Sequence, residues 1–342
     1  MHLINYCKSI RPHVDEIILV TETPLFADSN KQYIVSFRIS NPFTWFNSYF
    51  KLLKIISREK PDVIHSHELN RLAFFVAICS YLTKIPYIST AWGSDVLLMP
   101  GKNLFYKYAL RVVLRSSRYV TADAHAMIHS MKKIFPSNSK YVYQQYGIDP
   151  VSKFGDKQNI VFSNRLLQPL YNISKVVNYF AEFVAVYPEW HLNIGATGSQ
   201  LEHLKAQVGE LGIHDKVSFL GWLNKEDNNL NYGITKIFIS IPSSDGTSIS
   251  LLEAMSANCI PVVADLPVSH EWITDGENGV IEKPGKNPLF EALEIDTKQC
   301  FEMNQSKIKS SALRSVSALA FFELYKKTVE SRRRWRALFL GK

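Results

Sequence analysis

A carboxylate followed by Gly-Thr-Ser, with a second carboxylate eight positions further on, is a residue set that can hold a phosphorylated sugar. Asp245, Gly246, Thr247, Ser248 and Glu253 supply it within SSDGTSISLLEAMSANCIPVVAD, residues 243–265. Gly246 lets the backbone approach a ligand closely. Thr247 and Ser248 fall where a helix of about Ser248 to Asn258 should begin. Free main-chain N–H groups and the positive end of the helix dipole face outward there, which suits a diphosphate. Glu253, about a turn and a half into that helix, is placed to accept hydrogen bonds from sugar hydroxyls. A plainer reading of the same residues stays open at this point: Asp245 and Ser248 cap the helix, and Glu253 is a surface carboxylate.

Other residue sets carry less. His65 and His67 alternate at a strand end, but no carboxylate cluster joins them, so no metal site is expected. No Asp-x-Asp follows a strand as a metal-dependent sugar transferase would need. GATG at 195–198 departs from G-x-G-x-x-G, which argues against a nicotinamide cofactor, and no cofactor is expected. Basic residues are scattered except at the end of the chain, so no nucleic-acid partner is expected. Cysteines 7, 79, 259 and 300 form no C-x-x-C pair, which fits a reducing, cytoplasmic setting.

The elements that must position these residues alternate along the chain. Strands are expected at 16–22, 62–67, 87–92, 119–123 and 141–146, and a second series at 160–164, 191–196, 217–221, 236–243, 260–265 and 279–283. Helix-length segments lie between them. One is 42–58, with Asn41 as its cap, Pro42 as its first residue, and Phe43, Phe46, Phe50 and Leu53 at helical spacing. Alternation of this kind predicts an α/β chain with parallel sheets covered by helices on both faces. The turn-rich stretch 147–159 divides it into domains of 1–150 and 151–317. The final stretch, 306–340, reads as helical, and a C-terminal helix of about 318–342 should pack back on the first domain.

At this point the chain resembles a family, the retaining GT-B glycosyltransferases of family 4. Asp245, seven residues, Glu253-Ala254-Met255 and then Pro261-Val262-Val263 are similar to its signature. PDVIHSH (61–67), WGSDVL (92–97), TADAHAM (121–127), YGIDPVSKF (146–154), SNRLL (163–167) and KVSFLGWL (216–223) resemble family landmarks in the right order. The likeness extends along most of the chain. It implies two Rossmann-like, doubly wound domains facing a central cleft, and a nucleotide-sugar donor. It also implies roles: Glu253 on the ribose, Asp245 as the catalytic acid nearest the transferred sugar, and Gly246, Thr247 and Ser248 facing the diphosphate. Arg165 would neutralise that diphosphate, and Trp92, Gly93 and Asp95 would lie on the acceptor side or touch sugar. Catalysis would then be orientation plus stabilisation of the leaving group's charge, with no protein nucleophile.

Four departures from the family pattern stand out. Asp245 replaces the usual Glu. Tyr171 stands near the position of a family Lys, and Lys175 lies further on. Trp92 replaces a His. The chain also starts inside the first helix of the pattern, so a strand that is normally central to the first sheet is expected to be missing. On that expectation, 16–22 would take 62–67 or 87–92 as its neighbour.

The composition is that of a globular chain of 342 residues with a net charge of +8. The longest apolar run, near 72–82, is too short for the roughly 20 residues of a spanning helix. Arg332, Arg333, Arg334 and Arg336 beside Trp335, Leu338 and Phe339 suit peripheral contact with an anionic membrane surface. The expected activity is sugar transfer to a lipid-linked glycan or polysaccharide in cell-surface glycan synthesis. A sugar-nucleotide epimerase and a non-catalytic partner subunit of the same fold are the alternatives.

Overall fold

A computed structural model of the chain describes residues 2–25, 31–37, 42–152 and 155–340, with backbone alone at 2, 42 and 332–340. The expected cap Asn41 lies outside the described residues, and so do the side chains of the Arg332–Phe339 cluster. The chain forms two compact units, Met1–Tyr146 with Arg314–Lys342, and Gly147–Leu313.

The second unit holds six parallel strands: β7 (Gln158–Ser163), β8 (His191–Ile194), β9 (Val217–Phe219), β10 (Thr235–Ser240), β11 (Ile260–Val263) and β12 (Val280–Ile281). Their order across the sheet is β12-β11-β10-β7-β8-β9. The chain builds outward from β7 through β8 and β9, then returns to the other side of β7 with β10. The boundary between β7 and β10 is therefore the topological switch point, where ligands bind at the carboxyl ends of strands in such sheets.

Alternation along β7 explains why this sheet is covered on both faces. Val161 packs with Ile237, Val262, Val177 and Phe180 in one core cluster. Ile160 and Phe162 pack with Phe238, Leu252 and Met255 in another. Full burial of each such side chain is worth roughly 1.5–3 kcal/mol, so the strand ends at this switch point are held firmly.

The first unit holds β1 (Ile18–Thr21), β2 (Lys31–Ile34), β3 (Ile64–His67), β4 (Tyr87–Thr90), β5 (Tyr119–Ala122) and β6 (Tyr141–Tyr143). Here the structure corrects one expectation. β1 pairs with neither β3 nor β4; it pairs in parallel with β2, from Ile18 opposite Lys31 to Thr21 opposite Ile34. β3 to β6 form a separate sheet in sequence order. β2, with the sequence KQYI, was not expected as a strand, because Lys and Gln break its apolar pattern.

The stretch 306–340, expected to be helical, falls in two helices, Thr297–Ser311 and Arg314–Leu340. They break where the chain at Leu313 forms a parallel bridge with Ile148. The second of these helices packs on the helix His2–Ile10 within the first unit, through Phe321 against Tyr6 and Ile10. Among the described residues, no helix is long and apolar enough to cross a membrane.

Candidate functional site

The switch point of the second unit gathers the residues with chemistry. Asn164 and Arg165 follow the end of β7, and Asp245 to Ser248 follow β10 and open the helix Ile249–Ser256. That helix starts because Ser248 caps it, its Oγ accepting from Leu251 N–H at 3.4 Å. It stops at Asn258, whose φ of 57° is left-handed. Cys259 N–H then donates to Ala254 C=O at 3.0 Å, closing the last turn in the manner of a Schellman cap. The helix is thus pinned at both ends, with its N-terminus at the carboxyl edge of the sheet.

Arg165 is the hub. Its Nη2 donates to Asp245 Oδ2 at 2.7 Å, and its Nη1 to Ser248 Oγ at 2.5 Å. Its guanidinium lies 4.6 Å from the centre of the Tyr171 ring, a cation–π contact. Burial pushes the Asp245 carboxyl above its ordinary range, and the positive charge of Arg165 opposes that push. Three consecutive residues, Ser163, Asn164 and Arg165, each keep one buried polar atom (Oγ, Oδ1 and Nε) without a hydrogen-bond partner. Buried orphans of this kind are rare, and here they cluster beside a helix N-terminus and a cation. Arg165 Nε and Ser163 Oγ can donate to an anionic oxygen, while Asn164 Oδ1 can only accept, as from a hydroxyl, so a ligand carrying both kinds of group fits such surroundings.

The remaining residues of the set have definite surroundings. Thr247 is buried, with Trp272 Nε1 3.4 Å from its Oγ1. A small cavity lies against Asp245, Gly246, Ser248, Leu251 and Trp272. Glu253 sits on the same helix, and its charge reaches the phenol of Tyr232. Tyr232 in turn accepts from Asn164 Nδ2 at 2.8 Å. Lys175 does not join Arg165; it pairs with Glu282 at 2.6 Å. Sequence reasoning did not single out Asn164 or Tyr232, and Tyr171 entered it only as a departure. Tyr171 follows Arg165 by six residues in the same connection after β7, and no regular spacing there marks its ring as the support of that arginine.

Trp92, Gly93 and Asp95 belong to the first unit, Trp92 and Gly93 on the loop after β4 and Asp95 in the short helix Ser94–Leu97 that follows it. Asp95 is 2% exposed. Its carboxylate accepts main-chain N–H groups from Leu69 at 2.8 Å, Trp92 at 3.1 Å and Gly93 at 2.9 Å. Its role in the structure is therefore to hold this loop, with both oxygens spent on the backbone. Gly93 has a φ of 124°, which a side chain would rarely allow. The Trp92 indole N–H donates to Tyr146 Oη at 2.6 Å. Behind it, His67 Nδ1 lies 3.2 Å from the same oxygen, and His65 bridges Tyr325 Oη and Thr90 Oγ1, each at 2.6 Å. Among the described residues, no three His, Cys, Asp or Glu side chains converge as a metal ion would need.

Both units match known families. Residues 147–295 match Glycosyl transferases group 1, and residues 1–124 match Glycosyl transferase 4-like. An uncharacterised glycosyltransferase of Methanocaldococcus jannaschii is 25% identical over 317 residues, which cover 83% of this chain and 79% of that protein. The GDP-mannose:cellobiosyl-diphosphopolyprenol alpha-mannosyltransferase of Xanthomonas oryzae is 28% identical over 230 residues. That match covers 64% of this chain and 60% of the relative. Among solved structures, a glycosyltransferase from Rickettsia africae superposes with a TM-score of 0.79 at 16% identity, covering 96% of this chain and 94% of that one. HepE of Anabaena, crystallised with UDP and glucose, gives 0.75 at 15% identity, covering 95% of each chain. These structural likenesses establish the fold.

Proposed function

Because the chain is a glycosyltransferase of the GT-B fold, we propose that it moves a sugar, with retention of configuration, from a nucleotide-sugar donor to a lipid-linked glycan or polysaccharide. The observation that carries this reading is Arg165 meeting Asp245 and Ser248 at the N-terminus of the helix Ile249–Ser256. A donor diphosphate would lie against the free N–H groups of that first turn, with the Arg165 guanidinium taking part of its charge. Charge builds on the diphosphate as the glycosidic bond to it breaks. A fixed cation and a helix dipole stabilise that charge without having to reorganise. Asp245, held by Arg165, would orient the sugar, and Glu253 would accept from the ribose hydroxyls. The Xanthomonas relative, named for a mannosyl transfer to a diphosphopolyprenol-linked sugar, supports the acceptor class. The HepE complex with UDP and glucose supports the donor class. Peripheral attachment to the cytoplasmic face of a membrane, where such acceptors are anchored, is part of the same reading.

Titration calorimetry with a panel of UDP- and GDP-sugars tests it. One member should bind, and Glu253→Ala should weaken that binding roughly 10- to 100-fold, as expected for losing hydrogen bonds to a charged acceptor. Circular dichroism should show the fold unchanged. Undiminished donor affinity in the Glu253→Ala protein would remove the ribose role. Inversion at the anomeric carbon of the product, read by proton NMR, would overturn retention.

A further inference from the structure

Three large apolar side chains stand in the first turns of the helix Leu104–Ser116 with almost no cover: Leu104 at 81% exposed, Phe105 at 88% and Tyr108 at 70%. A single exposed apolar residue needs no explanation, but three within five positions form a patch, and such patches mark interaction surfaces. Along the chain the charge next to them has one sign: Lys102 and Lys107 stand beside them, Arg111 and Arg115 follow, and no Asp or Glu occurs from residue 96 to residue 122.

Hydrogen bonds tie this helix to the Trp92 loop. Tyr106, on its covered side, donates from Oη to Leu69 C=O at 2.7 Å. Leu69 N–H donates to Asp95 at 2.8 Å, and Asp95 accepts from Trp92 N–H. The helix follows β4 and leads back to β5, so its N-terminus lies at the carboxyl ends of these parallel strands, the end that carries the loop.

We propose that Leu104, Phe105 and Tyr108, with Lys102 and Lys107 beside them in the chain, dock this unit on an anionic lipid bilayer beside the acceptor loop. Apolar rings entering the boundary of the acyl chains, with basic side chains among the headgroups, are what such a surface binds. A second copy of the chain is the poorer occupant, because a symmetric contact would bring two patches of the same positive charge together. The proposal deepens the reading of a membrane-anchored acceptor and rests on it. It is independent of the basic segment 332–336.

Vesicle sedimentation of the full chain tests it, using phosphatidylcholine vesicles with and without phosphatidylglycerol. The parent protein should pellet with the anionic vesicles and be released by salt. The triple variant Leu104→Ser, Phe105→Ser, Tyr108→Ser should lose about tenfold or more in partitioning. Lys102→Glu with Lys107→Glu should weaken it at least about fivefold for each charge removed. A variant with Arg332, Arg333, Arg334 and Arg336 changed to Ser should keep most of the binding. Partitioning of the triple variant equal to the parent's would overturn the proposal. So would a parent dimer in size-exclusion chromatography that the triple variant splits. Calorimetry with nucleotide sugars on the same proteins separates the two readings. Vesicle binding without donor binding counts against the transferase chemistry, and donor binding without vesicle binding counts against this surface.

Discussion

His65 and His67 lie two residues apart on β3, their rings 4.1 Å apart and packed against Tyr6. Desolvation by this packing holds His65 well below its ordinary range and His67 down to about 3. In the unfolded chain both titrate near 6.5. Between about 6.5 and 3 the unfolded chain therefore binds more protons than the folded one, so stability falls as pH drops through that window. The histidines contribute their full share above it. Burial pushes Asp95 the other way, which opposes this loss. The melting temperature should be nearly flat from about pH 6.5 to about 8, where the buried thiols of Cys79, Cys259 and Cys300 begin to matter, and fall below about 6.5, with a shallower fall in His67→Gln. An acid slope identical in the two proteins would show that this histidine is not responsible. Residues differ in how far the sequence betrays them. A turn, a glycine and a helix start make Asp245 to Ser248 legible as a unit. Arg165 lies 80 positions away, and only a family likeness could connect the two. The Tyr171 ring under that arginine lies in an irregular connection that no periodic spacing encodes, and the buried use of Asp95 depends in part on Leu69 N–H, 26 positions away.

Most strands were legible as short apolar runs, because a strand covered on both faces reads that way. β2 was not, since its two end residues are exposed, its middle two only partly covered, and it includes Lys and Gln. The break after Ser311 also escaped the sequence, because it is set by the pairing of Leu313 with Ile148 far upstream. The pairing of β1 with β2 has a thermodynamic consequence. A two-stranded sheet is marginal unless other elements support it, whereas β7 and β10 are interior strands flanked on both sides. Hydrogen exchange should therefore release the amides of Leu19, Val20 and Tyr33 well before those of Val161, Phe162 and Phe238. Comparable protection in the two sets would mean that packing of the first unit compensates for its small sheet.

At the scale of the whole molecule, the proposed chemistry draws its positive field from protein groups alone, Arg165 and the N-terminus of the helix Ile249–Ser256. Turnover, once the donor and acceptor are found, should therefore survive a chelating agent. Activity that vanishes in chelator and returns with magnesium or manganese would refute this.

The bridge between Ile148 and Leu313 also bears on ancestry. Ile148 N–H donates to Ala312 C=O at 2.7 Å, so the segment 147–313 begins and ends side by side. A unit with neighbouring ends can be inserted into a host chain, or exchanged between chains, without stretching either one. The portion bearing Arg165, Asp245 and Glu253 is in that sense a cassette, a continuous segment whose two ends meet in space.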